Sequence, residues 1–394
     1  MRVLQINSTC GVGSTGKIAV DIYKALENQG DECLIAYGRG NAPKGVCSYK
    51  IGSDFSVKLH GILSRLTDRH GFYSFFPTKR LVNQIKKYNP DIIHLHNIHG
   101  YYLNLSVLFK YLSKTNLPVV WTLHDCWAFT GHCAYFSFAG CDRWKEGCYK
   151  CPQKRAYPSS LLADNSRFNY KNKKSIFKRV ENLNLVTPSY WLEGLVKESF
   201  LNNYPVTTIY NGIDLGVFKP TKGNFRKQYG LENKKIILGV ANIWEERKGL
   251  KDFYRLNQMI SDDYKIVLVG LSKEQIANLP KGIIGITRTE SVEQLAEIYT
   301  AAEVYFNASV EETMGLTTVE AMACGTPVVV YNATAIGEVV DEKSGIVVEP
   351  GNVSAVYEAI LNLSLSSKDC LKRAEYFKKN KQYKCYLDLY KRLV

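Results

Sequence analysis

Residues 311–330 read EETMGLTTVEAMACGTPVVV, and this stretch decides the fold class. An apolar run at 304–309 precedes it and predicts a short buried strand. Gly315 permits a tight turn, because glycine adopts backbone angles that other residues avoid. The spacing of apolar residues over 316–324 predicts a helix, which Gly325 ends. The resulting order of strand, turn, helix and strand is typical of parallel α/β sheets.

Two glutamates, Glu312 and Glu320, flank this turn. Glu312 is expected in the loop at the carboxyl end of the strand, and Glu320 about one turn inside the helix. A helix N-terminus offers backbone N–H groups and a positive dipole end to an anion. Both carboxylates can therefore face one ligand held at this helix end.

Alternation of strands and helices occurs in two blocks, at 1–190 and 205–375, which predicts two Rossmann-like domains with parallel sheets. A cysteine-rich insertion at 126–155 interrupts the first block, and a helix at about 376–394 is expected to return to it. The apolar runs predict strands at 3–7, 32–37, 91–95, 119–123, 184–187, 236–240, 265–269, 283–286, 304–307 and 327–331.

Composition limits the class of protein and its partners. The chain has 394 residues, and its 51 Lys and Arg against 37 Asp and Glu give a net charge of +14, which suits anionic partners. No nucleic-acid-binding module is recognisable, so a nucleic-acid partner is not expected. No apolar run approaches the roughly 18 residues that span a bilayer, and the N-terminus lacks signal-peptide architecture, so we expect a cytoplasmic protein. Eleven cysteines in such a chain argue against a disulfide framework.

A glycine-rich loop at 11–18, GVGSTGKI, follows the first strand. As a P-loop it lacks the hydroxyl residue that binds Mg²⁺, because Ile18 follows Lys17. As a dinucleotide fingerprint it lacks the acidic residue after the second strand, although Arg39 is placed to meet a 2′-phosphate. A loop that lets a phosphate or sugar approach the backbone, and a simple strand-to-helix turn, remain open alternatives.

Taken together, the motifs resemble the retaining glycosyltransferases of family 4, whose GT-B fold has two Rossmann-like domains facing across a cleft. The resemblance covers nearly the whole chain. It rests on Glu312-x7-Glu320 with the following AMACGTPVV, on Asn211-Gly212-Ile213-Asp214, on Arg247-Lys248-Gly249 and on His124-Asp125.

The resemblance implies roles for the donor-binding residues. Glu320 matches the residue that accepts hydrogen bonds from the ribose hydroxyls, and a carboxylate suits a vicinal diol because its two oxygens are both acceptors. Glu312 matches the residue that contacts the donor sugar. The N–H groups of Gly315 and Leu316 would meet the distal phosphate or the sugar.

Further catalytic roles follow from the same resemblance. Arg247 and Lys248 match the cations that neutralise the diphosphate leaving group. His124 matches the histidine that touches the transferred sugar, and Gly13 the glycine whose backbone lets the diphosphate approach. The chain departs from the family at 242–246, NIWEE, where an arginine is usual.

Two groups of potential metal ligands stand out. His94, His96 and His99 look like a metal cluster, and two of them alternate on one face of a predicted strand; we interpret them as structural or acceptor-side residues in preference to a metal cluster. The spacing of the insertion, Cys133-x7-Cys141-x6-Cys148-x2-Cys151, suits a structural zinc, with free buried thiols or an oxidised pair as alternatives.

The predicted reaction moves a sugar from a nucleotide-diphosphate sugar to a hydroxyl of a glycan or lipid-linked acceptor, with retention and without a catalytic metal or other cofactor. Surface polysaccharide or glycolipid assembly is the expected setting. Residues 55–76 combine a basic amphipathic helix with aromatic residues, which favours peripheral contact with the inner face of the plasma membrane; an ordinary domain helix is the alternative.

Two other classes of function stay open. An NADP-dependent oxidoreductase built on the loop at 11–16 and Arg39 would leave Glu312 and Glu320 without a role. A nucleotide-sugar-binding protein without catalysis would keep the binding residues and lack turnover.

Overall fold

A computed structural model describes all residues Met1–Val394 and divides into two compact units. Unit 1 comprises Met1–Tyr210 and Gln382–Val394, and unit 2 comprises Asn211–Lys381. Residues 205–210, which the sequence assigned to the second domain, lie in unit 1 because a short strand there pairs with its sheet.

Thirteen strands form two sheets. They are β1 (Arg2–Thr9), β2 (Glu32–Arg39), β3 (Ser48–Lys50), β4 (Ile92–Leu95), β5 (Val119–Thr122), β6 (Leu183–Thr187), β7 (Val206–Thr208), β8 (Lys235–Val240), β9 (Tyr264–Val269), β10 (Ile283–Ile286), β11 (Val304–Asn307), β12 (Val328–Tyr331) and β13 (Gly345–Val348).

Fifteen α-helices connect or cover the strands. They are α1 (Gly13–Glu27), α2 (Asp54–Thr67), α3 (Phe75–Tyr88), α4 (Leu105–Leu112), α5 (Arg143–Glu146), α6 (Ser166–Phe177), α7 (Tyr190–Glu198), α8 (Phe225–Gln228), α9 (Leu250–Asn257), α10 (Lys273–Ala277), α11 (Val292–Ala301), α12 (Leu316–Ala323), α13 (Val353–Leu361), α14 (Ser367–Ala374) and α15 (Lys379–Leu393). None of them combines the length and the apolarity needed to cross a lipid bilayer.

The sheet of unit 1 has the strand order β3-β2-β1-β4-β5-β6-β7, and all its pairs are parallel. Its two faces are both buried, as expected of a parallel sheet. Leu4 and Ile6 of β1 pack into one apolar cluster and Val3 into another, so successive residues serve opposite faces.

The C-terminal helix α15 completes unit 1. Tyr386 and Tyr390 are buried against the sheet face that contains Val3. The Thr122 hydroxyl donates to the Tyr386 oxygen at 3.2 Å, and the Tyr390 hydroxyl is hydrogen-bonded to His94 Nδ1 at 2.6 Å. These bonds fix the last turns of the chain onto β4 and β5.

The sheet of unit 2 has the order β10-β9-β8-β11-β12-β13, again all parallel. In each sheet one strand lies between the next strand in sequence and a later one. In unit 1, β1 lies between β2 and β4, and in unit 2, β8 lies between β9 and β11. Parallel α/β sheets bind ligands beside such a strand, at the carboxyl edge.

Histidines are confined to unit 1, where all seven lie between His60 and His132. Burial lowers the pKa of five of them: to about 3 for His60, to about 4 for His124, and well below the usual value for His70, His94 and His96. His132 differs, because the Asp68 carboxylate raises its pKa in spite of burial.

We expect unit 1 to lose stability as the pH falls from 7.5 to 5.5. The five imidazoles stay neutral when folded and take up protons near pH 6.5 when unfolded, so each contributes stability that is present above about 6.5 and lost below it. The slope is at most about 1.4 kcal/mol per pH unit for each group, and His132 opposes it.

Urea unfolding of a Trp244→Phe variant, followed by tryptophan fluorescence, measures this effect because the remaining four tryptophans all lie in unit 1. A free energy of unfolding that stays constant over this pH range would contradict the prediction.

Candidate functional site

Loops that follow β8 and β11 leave the sheet of unit 2 side by side, because these strands are neighbours and parallel. The first loop carries Arg247 and Lys248 on a 3₁₀ turn, Glu246–Lys248. The second carries Glu312. Residues separated by 64 positions are thereby brought to one edge of the sheet.

An ion pair joins these loops. Lys248 Nζ donates to Glu312 Oε1, and the two side chains are only 15% and 19% exposed. Arg247 supports the same contact: its Nη1 donates to the Glu311 carbonyl at 2.9 Å, and its own carbonyl accepts from the Val310 amide at 2.9 Å. Arg247 Nε also donates to Glu245 Oε2 at 3.0 Å, so two cations and two carboxylates are fixed relative to each other.

Gly249 permits this close approach. Its φ of +70° is left-handed, and a Cβ there would lie 2.2 Å from the carbonyl oxygen of Ala308. Any side chain would push the turn that carries Lys248 away from the end of β11.

The loop that carries Glu312 leads directly into α12. The Glu312 amide donates to Thr334 Oγ1 at 2.9 Å, and the same hydroxyl donates to the Glu312 carbonyl at 2.9 Å. Gly315, with φ of +82°, is the N-cap, and Leu316 is the first helical residue. The N-terminal N–H groups of α12 therefore begin three residues after Glu312, where a helix end attracts negative charge.

Glu320 lies one turn further along α12, as the sequence predicted, and is partly exposed. Tyr299 of α11 donates its hydroxyl to Glu320 Oε2 at 2.9 Å. Burial, and then the charge of Glu320, raise the pKa of Tyr299 well above its usual value, so this hydroxyl remains a donor. The bond orients the carboxylate.

The unusual segment 242–246 is anchored by its tryptophan. Trp244 is buried, and its Nε1 donates to the Val269 carbonyl at 2.9 Å. Gln275 Nε2 donates to the Trp244 carbonyl at 2.8 Å. Asn242 is exposed, and the nearest arginine in the loop is Arg247.

The glycine-rich loop of unit 1 follows β1 at the carboxyl edge of that sheet. Its turn is closed by the Gly11 amide, which donates to the Gly16 carbonyl at 3.0 Å, and by Thr9 Oγ1, which donates to the Val12 carbonyl at 2.7 Å. Gly13 is exposed, with nothing within 4 Å of the position of a Cβ. A ligand can approach its backbone closely.

His124 follows β5 at the same edge and is 9% exposed. Its Nε2 lies 3.1 Å from His96 Nδ1, and His96 Nε2 lies 2.9 Å from Gln5 Oε1. Gln5 Oε1 can only accept, so His96 carries its proton on Nε2 and accepts at Nδ1. Neutral His124 must then donate from Nε2, and Nδ1 is its unprotonated nitrogen.

A second group at this edge was not predicted from the sequence. Asp125 Oδ2 lies 2.8 Å from His99 Nε2, and the Tyr157 hydroxyl lies 3.0 Å from His99 Nδ1. Burial alone would raise the pKa of Asp125, but His99 and the Trp127 amide lower it, so the carboxylate stays charged. The adjacency of His124 and Asp125 was visible in the sequence, whereas the contacts with His99 and Tyr157 were not.

The histidines at 94–99 do not form a metal cluster. His94 Nε2 is hydrogen-bonded to Thr122 at 2.8 Å, His96 bonds Gln5 and His124, and His99 bonds Asp125. No group of three or more His, Cys, Asp or Glu side chains in the chain has the arrangement of a metal site.

The four cysteines of the predicted zinc site do come together. Cys133, Cys141, Cys148 and Cys151 all line one small cavity, with Phe136 and Trp144 among its other walls.

Two family models match most of the chain. The family model described as "Glycosyltransferase Family 4" matches residues 15–217, and the model described as "Glycosyl transferases group 1" matches residues 234–365.

Two curated relatives match part of the chain. A putative colanic acid biosynthesis glycosyl transferase, WcaC of Escherichia coli, is 29% identical over 232 residues, which are 55% of each protein. A processive diacylglycerol alpha-glucosyltransferase of Acholeplasma laidlawii is 31% identical over 157 residues, 37% of this chain and 47% of the relative. The matches span about half the length of these relatives.

Solved structures share the fold over the full length. Sucrose-phosphate synthase of Thermosynechococcus elongatus has a TM-score of 0.73 at 19% identity and covers 100% of this chain and 99% of its own. Anabaena Alr3699/HepE in complex with UDP has a TM-score of 0.68 at 15% identity and covers 99% of both chains. The two-domain GT-B fold is thereby confirmed, and the chain belongs to Glycosyltransferase Family 4.

Proposed function

We propose that this protein transfers a sugar, with retention of anomeric configuration, from a nucleoside-diphosphate sugar to a hydroxyl of a glycan or lipid-linked acceptor in surface polysaccharide or glycolipid assembly. The observation that carries the proposal is the Lys248–Glu312 ion pair, held beside Arg247 immediately before the N-terminus of α12.

Arg247 and Lys248 supply the positive charge that a departing diphosphate requires. Both side chains are mostly buried, so their charges are screened less than those at an open surface. The N–H groups at Gly315 and Leu316 add partial positive charge from a second direction. Fixed charges of this kind stabilise the developing negative charge without reorganisation during the reaction.

Glu320 is assigned to the ribose. A carboxylate accepts two hydrogen bonds from a vicinal diol, and the Tyr299 hydroxyl holds this one in place. Glu312 is assigned to the donor sugar, because Lys248 fixes it next to the proposed phosphate site.

We assign retention from the resemblance to the retaining enzymes of this family, and the division of roles decides only between the possible routes to it. A double displacement needs one carboxylate as nucleophile and a second group as acid, and Glu320 is committed to the nucleotide. We therefore assign attack on the same face as the leaving group. The acceptor oxygen bonds to the anomeric carbon, the bond from that carbon to the phosphate oxygen breaks, and the acceptor proton passes to the departing diphosphate.

His124 is assigned to the transferred sugar. Its neutral form, maintained by a pKa that burial lowers to about 4, presents Nδ1 as an acceptor for a sugar hydroxyl. The chain of bonds through His96 to Gln5 fixes this tautomer.

The named relatives support the donor and acceptor classes. HepE has been solved with UDP and with UDP-glucose. One curated relative is named for colanic acid biosynthesis and another for transfer to diacylglycerol. A uridine nucleotide and a membrane-bound acceptor are therefore the first candidates for this chain.

Contact with an anionic membrane is part of the proposal, and helix α2 supports it. Four of its six large apolar residues, Phe55, Leu59, Ile62 and Leu66, are 42–74% exposed, and their spacing places them on one face of the helix, while Val57 and Leu63 are partly buried. The buried residues of this helix are the polar His60 and Ser64. An ordinary surface helix buries its apolar face, whereas α2 leaves most of its large apolar residues exposed.

The surroundings of this face favour a lipid surface as its occupant. Leu161 and Leu162 extend the apolar area, since the Leu161 amide donates to the Arg65 carbonyl at 2.7 Å and both leucines are exposed. Basic side chains are exposed on α2, in the loop after it and in the first half of α3: Lys58, Arg65, Arg69, Lys79 and Arg80. Apolar residues with a basic rim are typical of helices that bind anionic lipid.

We expect substitution of Glu320 to weaken nucleotide binding and substitution of Glu312 to lower turnover. Glu320→Ala should raise the Kd for UDP by about 10-fold to 100-fold, because each lost hydrogen bond to a charged group is worth about 1.5–3 kcal/mol. Glu312→Gln should lower kcat by about 100-fold with little change in the Kd for UDP. Calorimetry with UDP and a UDP-release assay over a panel of UDP-sugars measure the two effects.

Glu358→Ala, an exposed glutamate of α13, is the matched control and should change neither quantity. Wild-type transfer in both Glu312→Gln and Glu320→Ala would refute the assignment. UDP binding without turnover of any sugar in the panel would favour a non-catalytic binding protein, and NADPH binding would favour the oxidoreductase.

Turnover should not require a divalent metal, because Arg247 and Lys248 supply the charge that Mg²⁺ or Mn²⁺ supplies elsewhere. Rates measured shortly after addition of EDTA should agree with those in Mg²⁺ to within about twofold. The matched variants are Lys248→Ala and Lys251→Ala. Lys248→Ala should lose activity, whereas Lys251→Ala should keep it, because the Lys251 side chain is 81% exposed. A strict dependence on Mg²⁺ or Mn²⁺ would contradict this mechanism.

Binding to vesicles should depend on anionic lipid and on α2. We expect sedimentation with phosphatidylcholine vesicles only when anionic phospholipid is added, and less of it at high salt. Leu59→Ser should weaken binding to vesicles, whereas Leu361→Ser should not. The two leucines are equally exposed, at 46% for Leu59 and 47% for Leu361, but Leu361 lies in unit 2. Absence of binding at low salt, or dimers that disappear with Leu59→Ser, would show that lipid is not the occupant of this face.

A further inference from the structure

Residues 130–165 form a long segment with little regular structure. The only helix within it is α5, of four residues. Loops longer than about 12–15 residues without secondary structure are uncommon in compact domains. Nevertheless Cys133, Phe136 and Trp144 of this segment are buried at 5% exposure or less. Such a segment requires a cross-link or another strong constraint to hold its interior together.

Four thiols meet in this interior. The cavity that Cys133, Cys141, Cys148 and Cys151 line has a volume of about 10 Å³, which is near the size of a single water-sized sphere. The thiols of Cys133 and Cys151 are hydrogen-bonded to each other. The Gly131 amide donates to Cys148 Sγ at 3.1 Å.

We propose that Cys133, Cys141, Cys148 and Cys151 bind one structural Zn²⁺ that holds residues 130–165 in their fold. Four thiolates satisfy the tetrahedral coordination of zinc, and the Cys148-x2-Cys151 spacing is that of a zinc knuckle. The side chains are not yet arranged as ligands, so each thiol turns into the cavity on binding. Four S–H bonds are broken and four protons pass to the solvent as four Zn–S bonds form.

His132 is a competing ligand beside this set. Its Nδ1 is bonded to Asp68, its Nε2 is buried without a partner, and it interacts electrostatically with Cys151. Asp68 also accepts from the Asn165 amide at 2.8 Å. Because His132 and Asp68 together tie the segment to the end of α2, we assign His132 a positioning role outside the ligand set.

The zinc-bound segment leads to the group at His99. Tyr157, six residues after the last ligand, contacts His99 Nδ1 at 3.0 Å. If the proposed transferase function holds, loss of zinc should raise the KM for the acceptor more than the Kd for UDP. The metal site itself does not depend on that function.

Metal analysis of the full chain tests the site directly. Protein purified without chelator should contain about one zinc per chain. Substitution with Co²⁺ should give sulfur-to-metal charge-transfer absorption. Each of Cys133→Ser, Cys141→Ser, Cys148→Ser and Cys151→Ser should lose the metal. The exposed cysteines outside the segment provide matched controls, and Cys47→Ser and Cys385→Ser should keep it.

His132→Ala should also retain zinc. Loss of zinc in His132→Ala together with its retention in Cys141→Ser would overturn the ligand set. A metal-free wild-type protein whose four thiols alkylate freely, or a disulfide among them, would overturn the site. If the cysteine variants do not fold, removal of metal from the wild type by a chelator should lower the Tm of unit 1, and an unchanged Tm would count against the proposal.

Discussion

Parallel pairing of every strand is the constraint on which both units depend. Because all strands of a sheet end at the same edge, the loops that follow them collect there whatever their distance in sequence. In unit 2 this edge joins Lys248 to Glu312. In unit 1 it joins His96 to His124 and His99 to Asp125. The proposed chemistry of the chain therefore lies in these loops and in the helices beside them, while the strands carry almost none of it.

The ion pair between Lys248 and Glu312 also balances charge in the interior of unit 2. A mostly buried lysine or carboxylate left alone carries a desolvation cost of several kcal/mol, and pairing offsets part of that cost before any substrate arrives. In the proposed reaction a diphosphate would share Lys248 with Glu312. The pair thus holds the Lys248 ammonium at the proposed phosphate site without leaving an unpaired charge in the interior.

The sequence predicted the central strands and missed three of the four edge strands, β3, β7 and β13. Central strands are buried on both faces and read as apolar runs, whereas these edge strands are three or four residues long and partly exposed. The positions of Glu312 and Glu320 followed from local signals of turn and helix. The contacts of Lys248 and Tyr157 could not be predicted from local signals, because they join residues that are distant in sequence. The exposed apolar face of α2 could not be predicted either, because a helical pattern alone does not show which face is buried.

Helix α15 has a consequence for biosynthesis. Unit 2 is one continuous stretch, whereas unit 1 requires the last thirteen residues, including Tyr386 and Tyr390, to cover one face of its sheet. A ribosome that has finished the first 210 residues has therefore produced a sheet with one face incompletely covered. Unit 2 can fold during translation, whereas unit 1 can complete its fold only after the last residues of the chain have been synthesised. Premature termination near the 3′ end would consequently damage the portion of the protein that was made first.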